Sequence, residues 1–346
     1  MTEKLKSISR VVLGIALMVM CVYWSLKNVD LEKMWNILQN ANYVWALLCI
    51  PIALFSHWLR AVRWKAMLES SAKTKLIDLF SAVMVGYAVN NFTPKGGELL
   101  RPYVLSRREN IPFSTVMATI ILERLFFDMA ALILIFCWAL LALPKQISAV
   151  YPEFSSSSLV SALGVPFILV LVYLIVSSVF PQVVDIFLQK TIKRFSHSLY
   201  NRLRSINQSF EKGFVIVRTP SQIIRTLLDS AGIWLCYILP SYIMLFAFDF
   251  PPHVTLGFKD AMLLFVVGSL AYVSPAPGAL GVYHTLVSTA MAQLYGISTE
   301  QGLAYATMVH GVNYVVTIIG GISLVRESKY ISFKRSEKNN TNTISS

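Results

Sequence analysis

Charged residues are scarce in this sequence. Only 14% of its 346 residues are Asp, Glu, Lys or Arg, whereas 55% are hydrophobic; a soluble domain carries about a quarter charged residues. The remaining charge is unbalanced, with 30 Lys and Arg against 18 Asp and Glu, and a formal net charge of +12. No basic stripe with interleaved aromatic residues accompanies it, so nucleic acid is not an expected partner. The composition predicts a polytopic membrane protein with basic cytoplasmic loops.

Motifs of soluble enzymes are also missing. The chain has no phosphate-binding loop, no G-x-G-x-x-G motif after a strand and no Ser-His-Asp arrangement. The four cysteines lie in apolar runs without C-x-x-C spacing, which argues against a zinc site or a disulfide framework. They are Cys21, Cys49, Cys137 and Cys236. No metal and no cofactor are therefore predicted, and an enzymatic activity is left open but not favoured.

Six apolar segments are predicted to cross a membrane as helices. They are residues 11–26, 44–59, 116–143, 159–180, 223–248 and 302–325. Residues 31–40 have apolar side chains at helical spacing and no net charge, which is typical of a short interfacial helix on the outer face. The predicted fold class is all-α, with one integral membrane domain over residues 1–328. The polar tail at residues 329–346 is expected to be disordered and cytoplasmic.

The apolar run that begins at residue 76 decides the topology. If it crossed the membrane fully, Arg101 and the basic residues between 190 and 225 would lie outside, against the positive-inside rule. A re-entrant hairpin over residues 76–108, open to the cytoplasmic side, removes this conflict and leaves twenty-five of the thirty Lys and Arg residues inside. The sequence Thr93-Pro94-Lys95-Gly96-Gly97 suits its turn. Both termini are then cytoplasmic.

A second re-entrant hairpin is predicted over residues 259–296. Its two apolar arms are each about 13 or 14 residues long, short of the roughly 20 that a spanning helix needs. They flank the Pro- and Gly-rich sequence from Ser274 to Gly281. This hairpin enters from the outside, and each hairpin is followed by a full span. Interrupted segments in corresponding positions of two halves are typical of inverted-repeat transporters with a site near the midplane.

Polar residues cluster on the first hairpin and on the span that follows it. Ionisable residues at membrane depth are costly unless they are paired or face water, so they indicate a candidate site. The candidates are Asn90, Asn91, Lys95, Glu98, Arg101, Glu123, Arg124 and Asp128. We expect Glu123 to pair with Arg101, and Arg124 to pair with Glu98 or Asp128. The two guanidinium groups are predicted to hold a phosphate of a phospholipid or a polyprenyl phosphate. The alternative is a structural ion-pair cluster that binds nothing.

A smaller group of polar residues lies on the second hairpin and the last span. His284 follows the Pro- and Gly-rich turn, and His310 and Asn313 are one helical turn apart. These three complete the predicted substrate-binding residues. Two histidines can form a proton relay or a metal pair. Because no carboxylate accompanies them, hydrogen-bonded core residues are the more ordinary interpretation.

Two segments predicted to lie on the inner side are basic. The first begins with Arg60 and Arg63, which are assigned to a loop after the second span. The second, residues 181–221, also has apolar residues at helical spacing. It is predicted to form one or two amphipathic helices on the inner leaflet, held partly by anionic lipids. A charged, solvated linker is the alternative.

Three motifs, in this order, resemble a known family. They are Pro94-Lys95-Gly96-Gly97-Glu98-Leu99-Leu100-Arg101, then Glu123-Arg124 with Asp128, then Pro275-Ala276-Pro277-Gly278-Ala279-Leu280-Gly281. Together they are similar to the membrane region of lysylphosphatidylglycerol synthases, also called the flippase-like domain family, over nearly the whole chain. The resemblance implies an integral inner-membrane protein of a prokaryote. Some members of that family are linked to lipid flipping and others to work alongside glycosyltransferases.

The chain departs from this family's pattern in two respects. Many members have Glu at the position of His284, so an acidic role is not carried over. Only a short polar tail follows Val325, so the soluble aminoacyl-transferring domain has no counterpart here and lysyl transfer to lipid is not expected. The leading expectation is a translocator of a phospholipid or a lipid-linked anionic substrate. A non-catalytic partner of a glycosyltransferase or envelope-lipid synthesis complex, and a lipid head-group transferase, are the alternatives.

Overall fold

The structure is a computed structural model. It describes residues 3–27, 29–69, 72–93, 95–142, 165, 168–169, 172, 181–193, 196–201, 204 and 220–331. Within these residues the chain is helical and has no strand, so the predicted all-α class is confirmed. The predicted span at 159–180 lies almost entirely outside the described residues, and so do most of residues 194–219 and the tail from residue 332 onward.

Helices joined by short connections make up most of the described part of the chain. In chain order they are α1 Glu3–Leu26, α2 Leu31–Asn40, α3 Tyr43–Leu68, α4 Leu76–Asn90, α5 Gly96–Glu109, α6 Phe113–Leu122, a π-helical segment Glu123–Asp128, α7 Met129–Ala142, α8 Pro181–Thr191, α9 Pro220–Ile243, α10 Phe258–Leu270, α11 Val282–Tyr295 and α12 Thr299–Ile331. Short 3-10 turns follow α9 at Met244–Ala247 and join α10 to α11 at Ala271–Val273 and Pro277–Ala279.

Three helices of the described part are long and apolar enough to cross a membrane. They are Tyr43–Leu68, Ile224–Ala247 and Thr299–Ile331. A fourth span results if α1 and α2 are counted as one bent pair. These helices confirm the polytopic membrane class, whereas the number of spans stays a prediction.

Helix α2 begins and ends where the sequence predicts a surface helix. Asp30 caps its first turn by accepting the Lys33 N–H at 3.0 Å, as a short polar side chain does at a helix N-terminus. The axes of α1 and α2 differ by 87°. A helix at a right angle to a span has the orientation that the interfacial prediction requires.

Helices α4 and α5 form the first predicted hairpin. Their arms touch backbone to backbone, since a Cβ on Gly97 would lie 1.8 Å from the carbonyl oxygen of Gly86. The Gly97 N–H also donates to Asn90 Oδ1 at 2.9 Å. At the turn, Lys95 has a φ of 58°, in the left-handed region. The hairpin is therefore present as two packed helices, and its depth in a membrane stays a prediction.

The tip of the second hairpin meets the tip of the first. Gly278, between α10 and α11, has a φ of 57°. A Cβ placed on it would lie 2.1 Å from the hydroxyl of Tyr314 and 3.3 Å from Oδ1 of Asn91. Asn91 in turn donates to the hydroxyl of Thr317 on α12. Two hairpin tips that meet beside a long helix fit the predicted inverted-repeat arrangement.

Ion pairs tie the open end of the first hairpin to the end of α12. Arg108 pairs with Asp78 at 2.6 Å and with Glu327, and Arg326 also pairs with Asp78 at 2.6 Å. The carboxylates of Asp78 and Glu327 are both buried. Because these ion pairs join α4, α5 and α12, they hold the base of the hairpin against the last helix.

Helix α8 covers the first part of the predicted amphipathic segment. Val183, Ile186 and Phe187 are exposed on it, whereas Val184 and Leu188 are buried beside Tyr200. Apolar side chains therefore lie on its outward face as well. Contact with anionic lipids stays a prediction.

Replacement of Gly97 by alanine is expected to disrupt the first hairpin. The added methyl group would overlap the Gly86 backbone, and overpacking of a tight contact typically costs about 1–3 kcal/mol. Thermal unfolding of the purified protein in detergent measures the loss. Gly311→Ala is the matched control, because nothing lies within 4 Å of that position. A Gly97→Ala protein as stable as Gly311→Ala would contradict the observed packing.

Cysteine labelling tests the side from which the first hairpin enters. Arg107 is exposed near the end of α5, so Arg107→Cys in a cysteine-free background is expected to react with an impermeant maleimide from the cytoplasmic side only. Lys259→Cys, exposed at the start of α10, should react only from the opposite side. Labelling of both positions from the same side would refute the predicted topology.

Candidate functional site

Two buried arginines of α3 are central to the site. Arg60 and Arg63 are one turn apart, with relative exposures of 1% and 0%. Assigning them to an inner loop was therefore wrong, because α3 continues to Leu68. The overlooked signal is the apolar character of the residues after Arg60, which extends the helical pattern. Because both guanidinium groups lie on one face of α3, they meet the same partners.

Glu123 lies where three arginines converge. Its carboxylate pairs with Arg60, with Arg63 at 3.0 Å and with Arg101 at 3.1 Å, and it has no exposed surface. A buried carboxylate requires this compensation, because leaving one charge unpaired costs several kcal/mol. The predicted Glu123–Arg101 pair is confirmed.

Asp128 forms the second carboxylate of the cluster. It pairs with Arg60 at 3.0 Å, with Arg63 at 2.9 Å and with Arg124 at 3.0 Å. Arg124 also pairs with Glu98. Both partners predicted for Arg124 are therefore present.

A π-helical segment sets the direction of these carboxylates. Over Glu123–Asp128 the helix widens, and the Met129 N–H donates to the carbonyl of Arg124, five residues back. In a regular α-helix positions 123 and 128 would point about 140° apart. The wider turn brings Asp128 back towards the side of Glu123, so both face α3. Such segments occur frequently at functional sites.

Hydroxyl and aromatic groups surround the arginines. Arg60 donates from Nε and Nη2 to the hydroxyl of Tyr237 at 3.1 and 2.9 Å, and that hydroxyl lies 2.9 Å from the hydroxyl of Tyr87. The guanidinium carbon of Arg101 lies 3.9 Å from the ring centre of Trp64, close enough for a cation–π contact. None of these three aromatic residues was among the predicted site residues, because Tyr87 and Tyr237 belong to apolar runs and Trp64 lies between two basic residues.

The other predicted residues of the first hairpin lie beside the cluster or away from it. Asn90 bonds to Gly97 and lines a small cavity next to the arginines. Asn91 bonds to Thr317 at the hairpin tip. Lys95 is exposed at the turn and is not brought into the ion-pair cluster.

The histidines form a second cluster on the other hairpin. The ring centres of His284 and His310 are 5.0 Å apart, and His310 stacks on Tyr283 at 4.7 Å. Asn313 is exposed, whereas His310 is buried. These two residues of α12 therefore do not line one common site. In the described part of the chain, no group of three or more His, Cys, Asp or Glu side chains is placed to hold a metal ion.

The arginine cluster is closed in this structure. The cavity beside it measures only about 10 Å³, about the space of a single water. Its lining includes Glu98, Arg101 and Arg124. Glu98 and Arg124 are also the exposed edge of the cluster, with side-chain exposures of 31% and 36%. The arrangement can hold an anion once this edge opens.

A wider groove lies at the opposite end of the helices. It has a volume of about 470 Å³ and runs between α2, the 3-10 turn after α9 and the start of α12. Asp30, Glu32, Asn36 and Asp249 are among its lining residues. This groove contains none of the predicted site residues.

Glu123→Gln is expected to destabilise the protein by about 3–5 kcal/mol, because three buried arginines lose a common counter-charge. Thermal unfolding in detergent at fixed salt measures the effect. Glu98→Gln is the matched control at the exposed edge, where a single pair contributes about 1 kcal/mol or less. Equal loss of stability in the two variants would contradict the central position of Glu123.

Comparisons with known proteins identify the family of the chain. The chain matches the family described as lysylphosphatidylglycerol synthase TM region over residues 11–321. It is 26% identical over 337 residues to the glycosyltransferase AglD of Haloferax volcanii, which covers 90% of this chain and 53% of that protein. A UPF0104 membrane protein of Methanocaldococcus jannaschii is 31% identical over 102 residues, 28% of this chain and 30% of the relative.

The chain thus spans about half the length of the first of these relatives and less of the second. The family match, in contrast, extends over nearly all of the described helices and includes every residue of the arginine cluster. The chain belongs to the lysylphosphatidylglycerol synthase transmembrane-region family.

Proposed function

We propose that this protein translocates a phospholipid or another lipid-linked anionic substrate. The observation that carries the proposal is the arginine cluster between α3, the first hairpin and the π-helical segment, whose edge at Glu98 and Arg124 is the part that remains accessible. Guanidinium groups bind phosphate through paired hydrogen bonds. Arg101 and Arg124 both line the cavity at this edge, so they are the groups we assign to the head group.

The closed cavity bears on how transport would proceed. About 10 Å³ does not admit a phosphate, so the substrate binds after a movement that opens the edge. The two hairpins whose tips meet at Asn91 and Gly278 are the elements we assign to this movement. In inverted-repeat transporters, one repeat rocks against the other around the site.

We place the protein in the inner membrane of a prokaryote, with both termini cytoplasmic. The support is the distribution of Lys and Arg, which satisfies the positive-inside rule only with a re-entrant first hairpin. In this orientation Arg60 lies eight residues from the cytoplasmic end of α3, and Glu123 follows the end of α6 that is further from the cytoplasm.

A membrane partner of a glycosyltransferase is the second candidate. It is favoured by the match to AglD, a protein named as a glycosyltransferase, of which the chain covers about half. In that case this chain would position an enzyme or its lipid substrate without moving lipid itself.

Reconstitution in liposomes tests the proposal. Fluorescent phosphatidylglycerol is followed by quenching from the outside, which reports transbilayer movement. Arg124→Gln is expected to slow movement by about tenfold or more, the effect of losing one charge-assisted contact. Arg107→Gln, at an exposed arginine of the first hairpin, is the control that should match the wild type.

Equal lipid movement by the wild type, Arg124→Gln and protein-free liposomes would refute translocation. If Arg124→Gln also left function intact in cells, while substitutions of basic residues in segment 181–221 abolished it, the glycosyltransferase-partner candidate would stand.

A further inference from the structure

The arginine cluster contains more positive than negative groups. Among the described residues, four guanidinium groups share three carboxylates through direct ion pairs. The members are Arg60, Arg63, Arg101, Arg124, Glu98, Glu123 and Asp128. Asp229 interacts with both Arg63 and Arg225. Asp229 and Arg225 therefore add one negative and one positive charge to the count, and these cancel. His57, beside Arg60 and Arg101, carries no negative charge. The closed cluster therefore holds one positive charge in excess.

The three carboxylates differ in how easily they can leave. Glu123 and Asp128 each pair with three arginines and are buried. Within the part of the chain that the structure describes, Glu98 pairs with Arg124 alone, and its side chain is 31% exposed. Arg124 keeps Asp128 as a partner when Glu98 moves away. Glu98 is thus the carboxylate whose withdrawal breaks the fewest ion pairs of this cluster, a single one, and it leaves no arginine of the cluster unpaired.

The space behind Glu98 is lined by groups that suit a phosphate. Arg101 and Arg124 both face the small cavity. Arg101 is 3% exposed, and among the described residues its Nε has no hydrogen-bond partner, although buried donors are normally satisfied. Withdrawal of Glu98 would add the volume of its carboxylate to this cavity. A phosphate there can accept from Arg124 and from the unused Arg101 Nε.

We propose that the site selects a dianionic phosphate, either a phosphomonoester or a diphosphate, and this inference rests on the proposed function. The dianionic phosphate displaces Glu98 from Arg124. A phosphodiester carries one negative charge, so exchanging it for Glu98 leaves the positive excess unchanged. A phosphomonoester carries about −1.5 to −2 at pH 7 and removes the excess. A zwitterionic head group displaces Glu98 with no net charge and enlarges the excess. Glu98 is then an internal competitor that a doubly charged head group displaces most readily.

Equilibrium binding to the purified full chain tests this selectivity. Fluorescent phosphatidic acid, phosphatidylglycerol and phosphatidylcholine with identical acyl chains are titrated at pH 8. We expect phosphatidic acid to bind about tenfold tighter than phosphatidylglycerol, as one additional neutralised charge predicts, and phosphatidylcholine not to saturate. Glu98→Gln should raise the affinity for phosphatidic acid about tenfold, because the internal competitor is lost. Glu32→Gln, an exposed carboxylate on α2, should leave the affinity unchanged.

The outcomes separate the two proposals. Equal affinity for phosphatidic acid and phosphatidylglycerol, with no gain from a folded Glu98→Gln protein, would overturn the dianion selectivity and leave translocation of anionic lipid standing. Inorganic phosphate binding as tightly as phosphatidic acid would support the selectivity for a dianion and assign the site to a soluble phosphate, which contradicts the lipid substrate. Absence of saturable binding by every anionic probe would overturn both proposals.

Discussion

A carboxylate without exposed surface requires its compensation close by, and Glu123 imposes this requirement on the surrounding helices. Its three arginine partners come from α3 and α5, while the carboxylate itself follows α6. The ion pairs therefore join three segments that are separated in sequence. Tyr237 on α9 adds a fourth through Arg60. Because lipid tails are as apolar as the helix surfaces, the hydrophobic effect gives little preference for one arrangement of apolar helices inside a membrane. A buried ionic cluster specifies which helices meet.

Local patterns in the sequence predicted most of this architecture. The short helix α2, both helical hairpins and the pairing of Glu123 with Arg101 follow from apolar periodicity, Pro- and Gly-rich turns and the cost of charge at membrane depth. These signals depend on a few neighbouring residues, or on a count of the charges expected on each side of the membrane. The two hairpin tips were not predicted to touch, because contact between Asn91 and Gly278 depends on packing across the whole chain.

The arginines of α3 show the limit of charge counting. Arg60 and Arg63 resemble the basic flank that ends a span, and the sequence beside them does not distinguish a flank from a buried ion pair. Their partners are about 60 residues further on. The π-helical segment is similarly hidden, because it depends on one additional residue per turn and not on a residue type. Only the three-dimensional arrangement shows that Glu123 and Asp128 point the same way.

The contact between Gly86 and Gly97 has a mechanical consequence. Helices α4 and α5 touch through their backbones, and a hydrogen bond from Gly97 to Asn90 lies beside the contact. The two helices therefore have no space in which to slide along or move away from each other. Glu98 and Arg101 are carried on this stiff unit, so they shift together with α4 and α5. Any displacement that opens the arginine cluster must originate at the junctions with other helices, such as Asn110, whose φ of 52° ends α5. Such a displacement would move α4 and α5 together as one unit about the base of the first hairpin.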